Sequence, residues 1–119
     1  MLFLPAPDES IWVGLLRLGL VVPGSRSLKD KRRAVAQIRD RLRARHHVSV
    51  AEVGHLDHTM RAVIAVTMVS NDARVLRSTL DGLRAEIQGW SMALIDDFHV
   101  DIFRPHDGAD RGRQDDRDG

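Results

Sequence analysis

Apolar and polar positions alternate along the chain in a way that divides it into six segments. From Ile11 to Val22 the sequence is almost continuously apolar, interrupted by Gly14, Arg17 and Gly19, and it stops at Pro23-Gly24. Such a run ending in a turn pair predicts a buried strand. Leu28, Val35, Ile38 and Leu42 then recur at helical spacing. Ser27 stands three residues before Asp30, a capping box with aspartate in the usual Glu or Gln position, which predicts a helix over Leu28 to Arg45. His47 to Val53 and Met60 to Val69 are rich in valine and flank the polar stretch Gly54 to Thr59, the pattern of a β-hairpin. Cap-type residues at Ser70-Asn71-Asp72 lead into Leu76, Leu80, Leu83 and Ile87 before Gly89, a second helix weakened by Gly82. Met92 to Phe103 alternates: Met92, Leu94, Phe98, Val100 and Ile102 fall mainly on one face and Asp97, His99 and Asp101 on the other, and Pro105 closes the strand.

The order strand, helix, strand, strand, helix, strand predicts an α+β ferredoxin-like βαββαβ sandwich, with two helices on one face of a four-stranded antiparallel sheet. One such domain is expected over residues 11–106. The apolar start is cut by Pro5, Pro7, Asp8 and Glu9 and reads as a flexible leader over 1–10, too short and wrongly flanked for a signal peptide or membrane span. Residues 107–119 hold five aspartates, three arginines and three glycines with one apolar residue, Ala109, and read as a disordered charged tail. At 119 residues with 43% hydrophobic content the chain suffices for one core. Cysteine is absent, so no disulfide framework, thiol nucleophile or cysteine metal site exists. A cytoplasmic location with no membrane partner is expected.

Charge changes the picture most. Between Arg26 and His47 nine Lys or Arg residues face two acidic ones, a net +7, whereas the whole chain is only +1. Charge has been sorted onto one element, and that points to a polyanionic partner. Arg26, Ser27, Lys29, Lys31, Arg32 and Arg33 lie at the start of the first helix, where free backbone N–H groups and the positive dipole end favour phosphate. They are the expected phosphate-binding set; a merely solvated helix face is the bland alternative. Asp30 reads as a cap. Glu52 interrupts the inward-facing row begun by Val48 and Val50, and a carboxylate there needs a partner. Lys31 or Arg32 is expected to supply it and so to orient the motif; an exposed strand end is the other possibility.

The run Pro-Gly-Ser-Arg-Ser-Leu-Lys-Asp-Lys-Arg-Arg from Pro23 to Arg33, Val-Ser-Val-Ala-Glu from Val48 to Glu52, and the Val-Ser-Asn-Asp lead into the second helix together resemble the YlxP-like family, a small bacterial family of unknown function. The likeness covers about Trp12 to Phe103. The motif positions it carries over are Ser27, Leu28, Lys29, Asp30, Lys31 and Arg32, with Glu52; the leader and tail lie outside it. The resemblance implies a ferredoxin-like fold. Through the family's usual gene neighbours, translation initiation factor two and ribosome-binding factor A, it also implies a tie to translation or ribosome maturation. It supplies no catalytic residues.

Strand parity gives a second candidate surface. If Arg17, Asp97, His99 and Asp101 point away from the helices, so do Ile11, Val13, Leu15, Val63, Ala65, Val69, Ile95 and Phe103. Val13, Leu15, Val63, Ala65 and Ile95 are the expected dimer or partner face, covered by a second copy or another protein; scattered exposed valines are the alternative. RNA-recognition domains of this topology stack bases on aromatics of the two central strands. Here tyrosine is absent, Met60 to Val69 has no aromatic, and Trp12 falls on the inward parity, so RNA is expected to bind through helix-borne charge.

No catalytic set is identified and no enzyme is expected. An acylphosphatase-like activity is a minor alternative whose only candidates are Arg26 and Asn71. Ser49 and Ser91 lack the setting of a nucleophile elbow. His55, Asp57 and His58 share the hairpin loop and His46 and His47 precede a strand, but an ordinary polar turn explains them better than a metal site does. No cofactor is expected. The leading expectation is a dimeric accessory factor that holds structured RNA or a ribosomal particle by its phosphate backbone, and the alternative is an interaction module acting through the outer sheet face.

Overall fold

The computed structural model describes residues 9–105. The expected leader, apart from Glu9 and Ser10, and the expected tail from Asp107 lie outside them. The elements are β1 (Trp12–Val21), α1 (Leu28–Arg45), β2 (Ser49–Gly54), β3 (Arg61–Ser70), α2 (Ala73–Gly89) and β4 (Leu94–Phe103). The sheet is fully antiparallel with strand order β2-β3-β1-β4. The fold is the expected ferredoxin-like sandwich.

Each helix begins where a side chain caps it. Ser27 Oγ accepts from the Asp30 N–H at 3.0 Å. Asp30 reaches back to the N–H of Arg26 at 3.2 Å, one residue earlier than in a standard capping box. At α2, Asp72 Oδ1 accepts from the Arg74 N–H at 2.9 Å. Hydrogen bonds from the Arg74 side chain and backbone hold the Asp72 carboxyl below its usual range.

One face of the sheet carries Leu16, Leu18 and Leu20 of β1 with Ala62, Ile64 and Val66 of β3. These pack against Val35, Ile38 and Leu42 of α1 and Leu80, Leu83 and Ile87 of α2. Gly14 sets how closely α2 approaches: a Cβ there would lie 2.6 Å from Leu80 Cδ1, so the helix rests on bare backbone. Where the helices meet, Glu86 of α2 takes an ion pair from Arg45 and a contact from His46 Nε2 at 2.9 Å. Burial alone would raise the Glu86 carboxyl, but the hydrogen bonds from His46 and Arg45 outweigh it and the net direction is down. Arg41 adds a cation–π contact over Trp90, 5.4 Å from the ring centroid.

The sheet departs from simple alternation in β4. Gly19 pairs with Asp97 but Leu20 pairs with Ile95, so Asp96 is an extra residue and the register shifts. A bulge reverses the parity of everything on one side of it. Ile95 therefore turns inward and packs against the core, while Leu94 turns outward and is 61% exposed. Ile95 does not belong to the outer face, contrary to the uniform alternation read from the sequence, and Leu94 takes its place.

This register makes a sharp prediction. Ile95→Lys should lower the urea unfolding free energy by at least about 2 kcal/mol, because an unpaired charge enters the core. Leu94→Lys should stay within about 0.5 kcal/mol of the unmodified protein. The reverse ranking would refute the bulge.

Candidate functional site

The phase of α1 decides which of its bases face water. Lys31, Val35, Ile38 and Leu42 are its buried residues; their spacings of four, three and four place them on one stripe. Lys31 thus occupies the first slot of the apolar stripe and is 0% exposed. Its ammonium donates to His55 O at 2.8 Å and Leu56 O at 3.3 Å, and lies 2.9 Å from Glu52 Oε2. The Glu52 contact is an ion pair by distance, with no well-angled hydrogen bond to Oε2. Glu52 is 18% exposed and on the inward parity of β2, paired with Ile64 of β3. Of the two partners expected for it, the structure selects Lys31.

That selection removes Lys31 from the phosphate-binding set: its ammonium is engaged beneath the surface by two backbone carbonyls and the Glu52 carboxylate. Ser27 is half-buried and caps the helix, its Oγ accepting the Asp30 N–H. What remains exposed is Arg26, Lys29, Arg32 and Arg33. Among the described residues none of these four has a carboxylate partner. Elsewhere Arg17, Arg39, Arg45, Arg61 and Arg74 are matched to Asp97, Asp40, Glu86, Asp96 and Asp72. Arg41, Arg84 and Arg104 lie over aromatic rings, and among the described residues only Arg43 and Arg77 resemble the four in lacking a partner. Capping leaves the N–H groups of Leu28 and Lys29 without intrahelical acceptors beside these cations.

The same end of the sheet carries a feature the sequence did not reveal. Ser25 Oγ bonds to Thr59 O at 2.6 Å, and the Val22 N–H donates to Met60 O at 2.7 Å. Together with the two Lys31 bonds they tie the β2–β3 loop, His55 to Met60, to the start of α1. Within the loop His58 Nδ1 accepts the N–H groups of both Met60 and Arg61 at 3.0 Å. His55 sits in the left-handed region at φ 55°, and the two imidazole rings pack edge to face with centroids 5.8 Å apart. Both rings are exposed. Nothing local in the sequence marks this arrangement, because the bonds that tie the loop to α1 and to the end of β1 are long range.

Residues 13–100 match the family model described as protein of unknown function (DUF503). The chain belongs to that family. The match covers all of the candidate site, from the β1–α1 loop through the β2–β3 hairpin, and the YlxP-like resemblance agrees with it. A search of curated proteins finds no match.

The other candidates separate. Arg26 and Asn71 follow opposite ends of the central strand pair, where Val21 meets Arg61 and Trp12 meets Ser70, so they share no site. His46 is engaged with Glu86 and is not brought to the hairpin histidines. Among the described residues no group of three His, Asp or Glu is placed to hold a metal ion. Asp97, His99 and Asp101 face outward opposite Gly19, Arg17 and Leu15, and Asp97 is held by Arg17. Val13, Leu15, Val63 and Ala65 share that outer face, although Val63 is only 8% exposed.

A double-mutant cycle tests the buried pair. Lys31→Met and Glu52→Leu should each destabilise the protein by about 3 kcal/mol, because each strands the other charge or its acceptors beneath the surface. The double variant should lie closer to the unmodified protein than the sum of the two. Additive losses in urea titrations would mean the pair is not coupled.

Proposed function

We propose that this DUF503 protein binds the phosphate backbone of structured RNA, as a ribosome-associated accessory factor of the cytoplasm, through the exposed start of α1. The observation that carries the reading is the uncompensated cluster of Arg26, Lys29, Arg32 and Arg33. Four cations within eight positions repel one another and oppose the local helix dipole, which costs stability unless a polyanion is present. Backbone contacts of this kind give affinity with weak sequence preference and a strong dependence on salt. Nothing in the sheet competes for this role: its aromatic residues do not form a base-stacking platform on β1 and β3.

The test replaces Arg26, Lys29, Arg32 and Arg33 with glutamine and leaves Lys31 intact. The variant should keep its circular dichroism and melting behaviour yet lose association with ribosomal particles and structured RNA. Each phosphate contact removed should flatten the salt slope by about one unit. Undiminished co-sedimentation would overturn the reading.

A second reading concerns the outer sheet face, where Leu15, Val53, Val69 and Leu94 are large, apolar and exposed, Val69 to 68%. A homodimer joined through this face accounts for them. Light scattering should show a dimer at tens of micromolar, and Leu15→Lys with Val69→Lys should give a folded monomer. A monomeric unmodified protein at that concentration would end this reading.

Among the described residues no helix is long and apolar enough to cross a membrane.

A further inference from the structure

Resting on the RNA reading, we infer that the β2–β3 loop is a base-stacking platform, so that the RNA held by α1 is one with unpaired bases, a loop or bulge, rather than continuous duplex. The argument starts from rigidity. The carbonyls of His55, Leu56, Thr59 and Met60 are each engaged by Lys31, Ser25 or the Val22 backbone. The His58 N–H closes the turn on His55 O at 3.0 Å. His58 Nδ1 is occupied by two backbone N–H groups, which fixes the ring and puts the proton of its neutral form on Nε2. A ring held this firmly loses little freedom when a partner stacks on it.

Composition then points to the occupant. Around the fixed rings stand Leu56, 53% exposed, and Met60, 38% exposed. Exposed aromatic and apolar side chains on a polar loop need a flat apolar partner. Lys31 ties this loop to the start of α1, whose exposed cations favour an anionic partner. Unstacked bases joined by a phosphate backbone satisfy both demands, and imidazole is among the side chains on which such bases stack. A closed duplex presents phosphate but hides its base faces, so it would leave the loop unused. The two central strands cannot substitute for the platform, since β1 and β3 lack outward aromatics. Lys31 links the two halves of the surface: it belongs to the motif helix, yet its ammonium holds the loop that carries the rings.

The experiment compares three RNA probes with equal numbers of phosphates: a hairpin with an open loop, the same hairpin with abasic loop nucleotides, and a continuous duplex. The unmodified protein should bind the open-loop hairpin about ten-fold more tightly than either of the others. The variant His55→Asn with His58→Asn keeps the fold. Asparagine tolerates the left-handed conformation at position 55, and its side-chain oxygen can replace Nδ1 as acceptor at position 58. In this variant the ten-fold preference should vanish while the salt slope stays unchanged. Equal binding of all three probes by the unmodified protein, or a preference that survives in the variant, would overturn the platform and leave phosphate binding standing. Failure of the unmodified protein to bind any of the three would overturn the RNA reading and the platform with it.

Discussion

The buried ammonium of Lys31 is the constraint on which the motif end of this protein depends. Moving a lysine out of water is costly, and only good compensation makes it tolerable. Here compensation comes from one carboxylate and two carbonyls, all belonging to β2 and the loop after it. The first turn of α1 can therefore dock in one way only. A leucine in the same slot could slide along the apolar sheet; a lysine cannot leave its two carbonyl acceptors and its counter-ion. Ser25 and the Val22 backbone add neutral bonds that fix the same loop from the other side. Two connections that would otherwise move separately become one surface.

Helix geometry turns this single fixed residue into a sorting device. Once Lys31 points inward, Lys29, Arg32 and Arg33 are rotated away from the core by the helical repeat. They cannot share its acceptors. The Asp30 carboxylate accepts the N–H of Arg26 and forms no ion pair with their side chains. The stability of the element thus comes from the apolar stripe and its docking position from the buried lysine, while its exposed charges work against it. Local conflict of this kind, with a structural reason on one side and none on the other, is the feature that the proposed polyanionic partner would relieve.

How far the sequence could be read depended on the range of the interactions. Element order, both helices, the capping residues and the hairpin follow from local periodicity and cap chemistry, and the structure has them where those signals lie. The partnership of Glu52 with a base of α1 was also legible, because an acid on the inward row of a strand has few options. The choice of Lys31 over Arg32 follows from the spacing with Val35, Ile38 and Leu42, which also should have excluded Lys31 from the surface set. Counting charge alone hid this. The β4 bulge was not legible: Leu-Ile-Asp-Asp contains no glycine to mark it, and only pairing with β1 reveals that Asp96 is supernumerary. Gly19 is its nearest trace, since a Cβ there would meet Asp96 Oδ1 at 2.5 Å and Asp97 Cβ at 2.9 Å. The fixed imidazoles were hidden for the same reason, as their loop is held by residues about thirty positions away.

The outer face and the motif end place no conflicting demands on the chain. The outer face is formed by strand residues turned away from the helices, whereas Arg26, Lys29, Arg32 and Arg33 belong to α1 and the loop before it, on the other side of the sheet. A second copy seated on Leu15 and Val69 would leave each basic cluster in water. It would also place two clusters on one particle, and two modest phosphate sites held on one rigid body gain through effective concentration what neither has alone. The gain would depend on geometry, since both clusters must reach the same RNA together. An outer face and a helix start that look like rival explanations of the same protein would, on this arrangement, serve one binding mode.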